Sequence, residues 1–91
     1  MSVKVRIPSP LKQLTNNQAT VTAEGTDIES LLEDLDRRFP GMKGRLCDGT
    51  GALRPSVVLY VNNEDIRFFE GEKTKLKDGD KVAIVPSVAG G

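Results

Sequence analysis

A chain of 91 residues suffices for one domain, and at this size only about 60 to 65% of the unfolded surface is hidden on folding, so a deep cofactor cavity is not expected. Lys and Arg (13) balance Asp and Glu (13), which removes the basic footprint that a phosphate backbone demands and argues against a nucleic-acid partner. Histidine is absent, and with it the commonest general base, while no apolar run approaches the roughly 18 residues of a membrane span.

In chain order, Val3, Val5 and Ile7 alternate with Ser2, Lys4 and Arg6, the period-2 pattern of a strand with one face buried. Pro8 and Pro10 end it. Ser9 to Asn17 is polar and closes on an Asn-Asn pair suited to positive φ, after which Ala19, Val21 and Ala23 alternate with Thr20 and Thr22. The pattern predicts a hairpin with a longish loop. Thr26-Asp27-Ile28-Glu29 then matches a capping box, with Thr26 at the cap and Glu29 reaching back. The helix that follows carries Ile28, Leu31, Leu32, Leu35 and Phe39 in one apolar stripe, and Pro40-Gly41 stops it.

Met42 to Ser56 is the least regular stretch and reads as a loop with one short helical turn; Gly41, Gly44, Gly49 and Gly51 match neither a Walker nor a dinucleotide spacing. Cys47, the only cysteine, cannot form an internal disulfide. A persulfide on it is one reading, but no histidine is present to lower its pKa, and an inert thiol is the other. Val57 to Val61 is β-branched or aromatic at most positions, Asn62-Asn63 makes a tight turn, and Ile66-Arg67-Phe68 reads as a short return strand. Gly71 to Lys77 is a charged loop anchored by Leu76. Asp78-Gly79-Asp80 is too short for a calcium loop and reads as a turn, so no metal ligand is assigned. Lys81 to Val85 is a last strand apolar at successive positions, which places it inside a sheet rather than at an edge.

The order strand, strand, helix, strand, strand, strand, with one helix stripe to cover one sheet face, predicts an α+β two-layer domain over residues 1–91. Its expected core is Val3, Val5, Ile7, Val21, Ile28, Leu31, Leu32, Leu35, Leu59, Val82 and Ile84. If Leu59, Val82 and Ile84 face the helix, then Val58, Tyr60, Ala83 and Val85 share the opposite face as an apolar strip. Such a strip marks a docking surface unless the Met42 to Ser56 loop folds over it.

The chain leaves the last strand through Pro86, Ser87, Val88 and Ala89 and ends on Gly90-Gly91. Pro86 lacks an N–H and stops sheet pairing on its own side, so 86–91 is expected to be a flexible tail. Five residues beyond Pro86 reach roughly 17 Å when extended. Two glycines have no side chains to obstruct a narrow channel, and they expose a terminal carboxylate; the alternative is an ordinary frayed terminus.

This order of elements, with a strand leading into Gly-Gly, resembles the ubiquitin-like β-grasp fold, a mixed sheet of about five strands covered on one face by one helix. The stretch Leu76 to Gly91, with its Asp78-Gly79-Asp80 turn, its Val82-Ala83-Ile84-Val85-Pro86 strand and its Val88-Ala89-Gly90-Gly91 ending, is similar to the sulfur-carrier proteins of molybdopterin, thiamine and cysteine synthesis. Ile7-Pro8-Ser9-Pro10-Leu11 and Val61 to Phe68 are similar to the branch that donates sulfur to a cysteine synthase. The resemblance implies a protein substrate rather than an enzyme. An E1-like enzyme would adenylate Gly91 with ATP, and a sulfur donor would convert the adenylate to a thiocarboxylate. In the cysteine branch the sulfur passes to a pyridoxal-phosphate cysteine synthase, and a metallopeptidase releases the amino acid. ATP and pyridoxal phosphate belong to those partners, and this chain binds no cofactor of its own. Three alternatives stand beside this reading: the small subunit of a molybdopterin synthase, a ubiquitin-like protein modifier, and an adaptor of the same fold with a dispensable tail. Neither a leader nor a membrane anchor is expected, and the expected compartment is the cytoplasm.

Overall fold

The alternation of Ser2–Arg6 makes strand β1, whose Val3 and Val5 are buried while Ser2, Lys4 and Arg6 are exposed. The computed structural model describes residues 2–86. The expectations for Ser87, Val88, Ala89, Gly90 and Gly91 lie outside the described residues. Strand β2, Thr20–Glu24, pairs antiparallel with β1 and buries Val21 and Ala23 opposite Val5 and Val3. The hairpin loop between them is more ordered than its polarity suggests. Ser9–Thr15 forms a 3-10 helix, with Leu11 and Thr15 buried and the Thr15 hydroxyl placed against the carbonyls of Lys12 and Gln18. The turn ends on Asn16 and Asn17, both at positive φ.

Helix α1, Ile28–Arg38, buries Ile28, Leu31, Leu32 and Leu35, and Phe39 packs at the core margin. Its capping box sits one residue later than Thr26 and Glu29 predict: the Asp27 carboxylate accepts the Ser30 N–H at 2.8 Å, and the Ser30 hydroxyl accepts the Asp27 N–H at 3.2 Å. The Thr26 carbonyl accepts the Leu76 N–H at 2.9 Å, which ties that residue to the neighbouring loop, and the extended residue before the helix is Asp27, bridged to Lys75. Hydrogen bonds from the Ser30 N–H and hydroxyl hold the Asp27 carboxyl below its ordinary value.

The link from β2 to α1 is tight at Gly25. A Cβ there would lie 2.7 Å from the Leu31 backbone nitrogen and 2.8 Å from its Cα. Because those atoms belong to the buried helix and not to a flexible side chain, Gly25→Ala is expected to cost about 1 to 3 kcal/mol of unfolding free energy. A urea midpoint shift equivalent to less than about 0.5 kcal/mol would show that the connection yields.

Helix α2, Met42–Leu46, is the short turn expected within the irregular stretch, and Gly41 enters it at φ 100°. The Asp36 side chain caps it by accepting the N–H groups of Gly41 (3.3 Å) and Lys43 (3.0 Å). Met42, Leu46 and Cys47 join the core, with Leu53 and Val57 packed against it. The layer over the sheet is therefore α1 supplemented by α2, not α1 alone.

Strand β3, Val57–Val61, turns through Asn62 and Asn63, both at positive φ, into β4, Glu64–Asp65. The return strand is shorter and earlier than Ile66-Arg67-Phe68 predicts; those three residues form a 3-10 turn. Asp65 causes the break, since its carboxylate accepts the Arg67 N–H at 2.8 Å and bends the chain away from the ladder. Strand β5, Lys81–Pro86, runs parallel to β1 and antiparallel to β3, giving the sheet order β2-β1-β5-β3-β4. The last strand is thus interior, as its two apolar faces predict. Pro86 is paired opposite Val57, so the strand extends one residue past its expected end. All eleven expected core residues are buried, joined by Ala23, Leu11, Met42, Leu46, Cys47, Val61, Ile66 and Leu76. This is the ubiquitin-like β-grasp architecture.

Candidate functional site: the open sheet face and the exit of the last strand

Residues directly opposite in register share a sheet face, so the pairings define the side that α1 leaves open. Val58 pairs with Val85 and Tyr60 with Ala83, while Ala83 also neighbours Arg6, and Lys81 neighbours Lys4. The four residues expected to form an apolar strip are therefore contiguous. Val58, Tyr60 and Ala83 are half-buried, and Val85 is 42% exposed beside Pro86, where the described chain ends.

The Met42 to Ser56 segment does not fold over the strip. Its anchors Met42, Leu46 and Cys47 are buried in the core on the helix side, and it meets the strip only at its margin, where Arg54, Pro55 and Val58 border a cavity of about 240 Å³.

At the same margin, lining the same cavity, the Asp65 carboxylate, 6% exposed, is gripped by Arg67 through Nε at 3.0 Å and Nη2 at 2.6 Å. Asp65 pairs with Tyr60 across β3 and β4. The Arg67 guanidinium holds the Asp65 carboxyl below its ordinary value, and Asp65 in turn raises Arg67. The turn braced in this way displays Phe68 at 84% exposure and Phe69 at 48%. Sequence reasoning missed both, because a strand pattern over 66–68 would have hidden one side of it. The available signal was Asp65, a residue that bonds to its own backbone two positions on.

Asp78-Gly79-Asp80 is a turn whose carboxylates point to structural partners. Asp78 accepts the Ser2 N–H at 2.9 Å, and Asp80 accepts the Lys77 N–H at 2.8 Å and the Asn62 side-chain amide at 3.1 Å. These bonds tie the start of β1 to the start of β5. Among the described residues no group of three or more His, Cys, Asp or Glu side chains could hold a metal ion. No described helix is long and apolar enough to cross a membrane.

Cys47 is 3% exposed, and burial, followed by the nearby Glu72 carboxylate, pushes its thiol above the ordinary value of 9.0. Thiol chemistry needs the thiolate and access to it, and Cys47 has neither. An aromatic disulfide reagent at neutral pH is expected to label Cys47 at least about 10²-fold more slowly in the native protein than in urea, because labelling requires local opening. Stoichiometric labelling within seconds under native conditions would identify an accessible thiol.

Among the described residues, the open face is a surface rather than an enclosed pocket. It supplies an apolar strip bounded by charged residues and a central strand whose described end, Pro86, lies beside Val85. The sequence profile of the ThiS family matches residues 5–91. Sulfur carrier protein CysO of Mycobacterium tuberculosis (strain ATCC 25618 / H37Rv) is 42% identical over 93 residues, covering 100% of both chains. The crystal structure of M. tuberculosis CysO superposes with a TM-score of 0.90 at 40% identity, over 94% of this chain and 99% of that one. A chain in the crystal structure of the Amycolatopsis orientalis BexX/CysO complex gives a TM-score of 0.90 at 38% identity, over 98% and 99% of the two chains. The molybdopterin synthase sulfur carrier subunit of M. tuberculosis is 31% identical over 77 residues, 85% of this chain and 78% of that protein. Similarity to CysO over the whole length, in sequence and in fold, together with the family match, has one conclusion: this chain belongs to the ThiS family of ubiquitin-like sulfur carriers.

Proposed function

We propose that this protein carries sulfur for cysteine synthesis as a thiocarboxylate on Gly91, and that it acts as a substrate of partner enzymes rather than as a catalyst. The observation that carries the reading is the end-to-end similarity to CysO joined to the Val88-Ala89-Gly90-Gly91 terminus. A carboxylate is a poor electrophile. An E1-like enzyme overcomes this by joining Gly91 to AMP and releasing pyrophosphate; a sulfur donor then displaces AMP, forming the C–S bond as the C–O bond to phosphate breaks. The resulting thioacid is a sulfur nucleophile that stays ionised near neutral pH, so the protein carries reactive sulfur without releasing sulfide. A pyridoxal-phosphate cysteine synthase is the acceptor, a metallopeptidase frees the cysteine, and the cytoplasm is the compartment.

Each part of the chain has a place in this scheme. Ser87, Val88 and Ala89 form the arm that enters the partner, rooted at Pro86 on the end of β5; Gly90 and Gly91 are the reacting end, and Val58, Tyr60, Ala83 and Val85 form the surface against which the activating enzyme docks. Interior placement of β5 supports the scheme, because an arm is useful only on a firm anchor. The likeness to a molybdopterin synthase subunit favours a second reading, in which the same thiocarboxylate serves a different acceptor. Intact-mass analysis of the protein isolated gently from its native cell separates the two. A thiocarboxylate together with a C-terminal cysteine adduct supports the first reading, a thiocarboxylate with no cysteine adduct supports the second, and a bare carboxylate under conditions of active sulfur assimilation overturns both.

A further inference from the structure

The open sheet face holds a cluster of cations that the fold does not use. Lys4 and Lys81 are direct neighbours across β1 and β5, and Arg6 lies beside Ala83, which neighbours Tyr60. Like charges directly opposite on neighbouring strands destabilise a sheet, so this pair works against the fold that contains it. Among the described residues neither lysine nor Arg6 has a side-chain hydrogen bond or ion pair; the pairs present use Arg37, Arg38 and Arg67. The neighbouring carboxylates already have partners: Asp78 the Ser2 N–H, Asp80 Lys77 and Asn62, Asp65 Arg67, and Glu24 Arg38. The remaining neighbours in the row, Thr20 and Thr22, are neutral. Three exposed cations thus border an apolar centre on a chain whose total charge is zero.

We propose that this face recognises an acidic protein surface: an apolar patch that meets Tyr60, Ala83, Val58 and Val85, flanked by carboxylates that meet Lys4, Arg6 and Lys81. A protein suits the face better than a nucleic acid, because the apolar strip separates Lys4, Arg6 and Lys81 from Arg54 and Arg67, and Arg67 is already paired with Asp65, so no continuous basic stripe is left for a phosphate backbone to follow. Rim charges of this kind set the encounter rate and the choice of partner, while the apolar centre sets how long the complex lasts.

The proposal rests on the carrier reading, with the activating enzyme as the acidic partner. The test measures the Kd of the cognate E1-like enzyme, and its pyrophosphate exchange, for the unmodified chain, for the triple variant Lys4→Glu/Arg6→Glu/Lys81→Glu, and for the milder Lys4→Gln/Arg6→Gln/Lys81→Gln. Lys73→Glu, on an exposed turn away from this face, controls for net charge. The Glu variant is expected to bind at least about tenfold more weakly, with the loss appearing in KM rather than kcat; the Gln variant should fall between, and raising the salt should shrink the differences. The control should stay within about twofold. The Gln variant should melt no lower than the unmodified chain, since it removes the Lys4–Lys81 repulsion. Unchanged Kd in the Gln and Glu variants, with exchange intact, would overturn this proposal alone. Tighter binding of a mixed-sequence oligonucleotide than of the enzyme at physiological salt would overturn it in favour of a polyanion. Absence of exchange with the unmodified chain would overturn the carrier reading itself.

Discussion

Deletion of Gly91 is expected to abolish ATP-dependent activation, lowering pyrophosphate exchange by at least about 10²-fold, because a reacting group displaced by a single residue no longer meets the α-phosphate. Adding one residue after Gly91 should do the same, since the carboxylate then lies past the reacting position. Gly90→Ala should be intermediate: its Cβ narrows the conformations that only glycine reaches freely and crowds a channel fitted to a bare backbone. None of these changes should move the thermal melt, because among the described residues the buried core runs from Val3 to Ile84. Loss of exchange with an unchanged melt assigns the function to the terminal carboxylate. Normal exchange by the deletion variant would refute the carrier reading and leave an adaptor with a dispensable tail.

The second large effect belongs to the helix. Leu35 is fully buried and Leu32 is 2% exposed, both between α1 and the sheet. Truncation of either to alanine is expected to cost about 2 to 5 kcal/mol, the removed transfer free energy plus a cavity the packed layer cannot close. A domain this small has about 5 to 15 kcal/mol to lose, so each variant should give up a large share of its stability. The measurement is urea unfolding followed by circular dichroism. Losses below half a kcal/mol at both positions would contradict the packing of α1 into the core.

How much of this was legible in advance depended on whether the signal was periodic. Alternation in β1 and the stripe from Ile28 to Leu35 were readable because each is a repeated choice between water and core. The interior position of β5 was readable because Val82 to Val85 has no wet face to give it. Single polar residues whose partners lie elsewhere in the chain were not. Asp34 reads as part of a solvated helix face, yet it accepts the Glu24 N–H at 2.8 Å and the Arg38 Nε at 2.6 Å. Partial burial pushes its carboxyl up, and these two bonds outweigh that and hold it below its ordinary value. Asp36 caps a second helix, and Asp27 rather than Thr26 caps the first. Of the candidate site, the strip was legible through register parity. The cation cluster was not, since Lys4 and Arg6 meet Lys81 and Ala83 only once β1 and β5 lie parallel.

That parallel pairing also governs how the molecule is made. In the sheet of the described residues, β5 joins the β1–β2 hairpin to the β3–β4 hairpin, and it follows those four strands in the chain. A chain arrested before Lys81 consists of two hairpins that share no sheet hydrogen bonds. Closure therefore waits for contacts between the two ends of the sequence, the slowest kind to form. A product truncated before Lys81 therefore lacks the strand that completes the sheet.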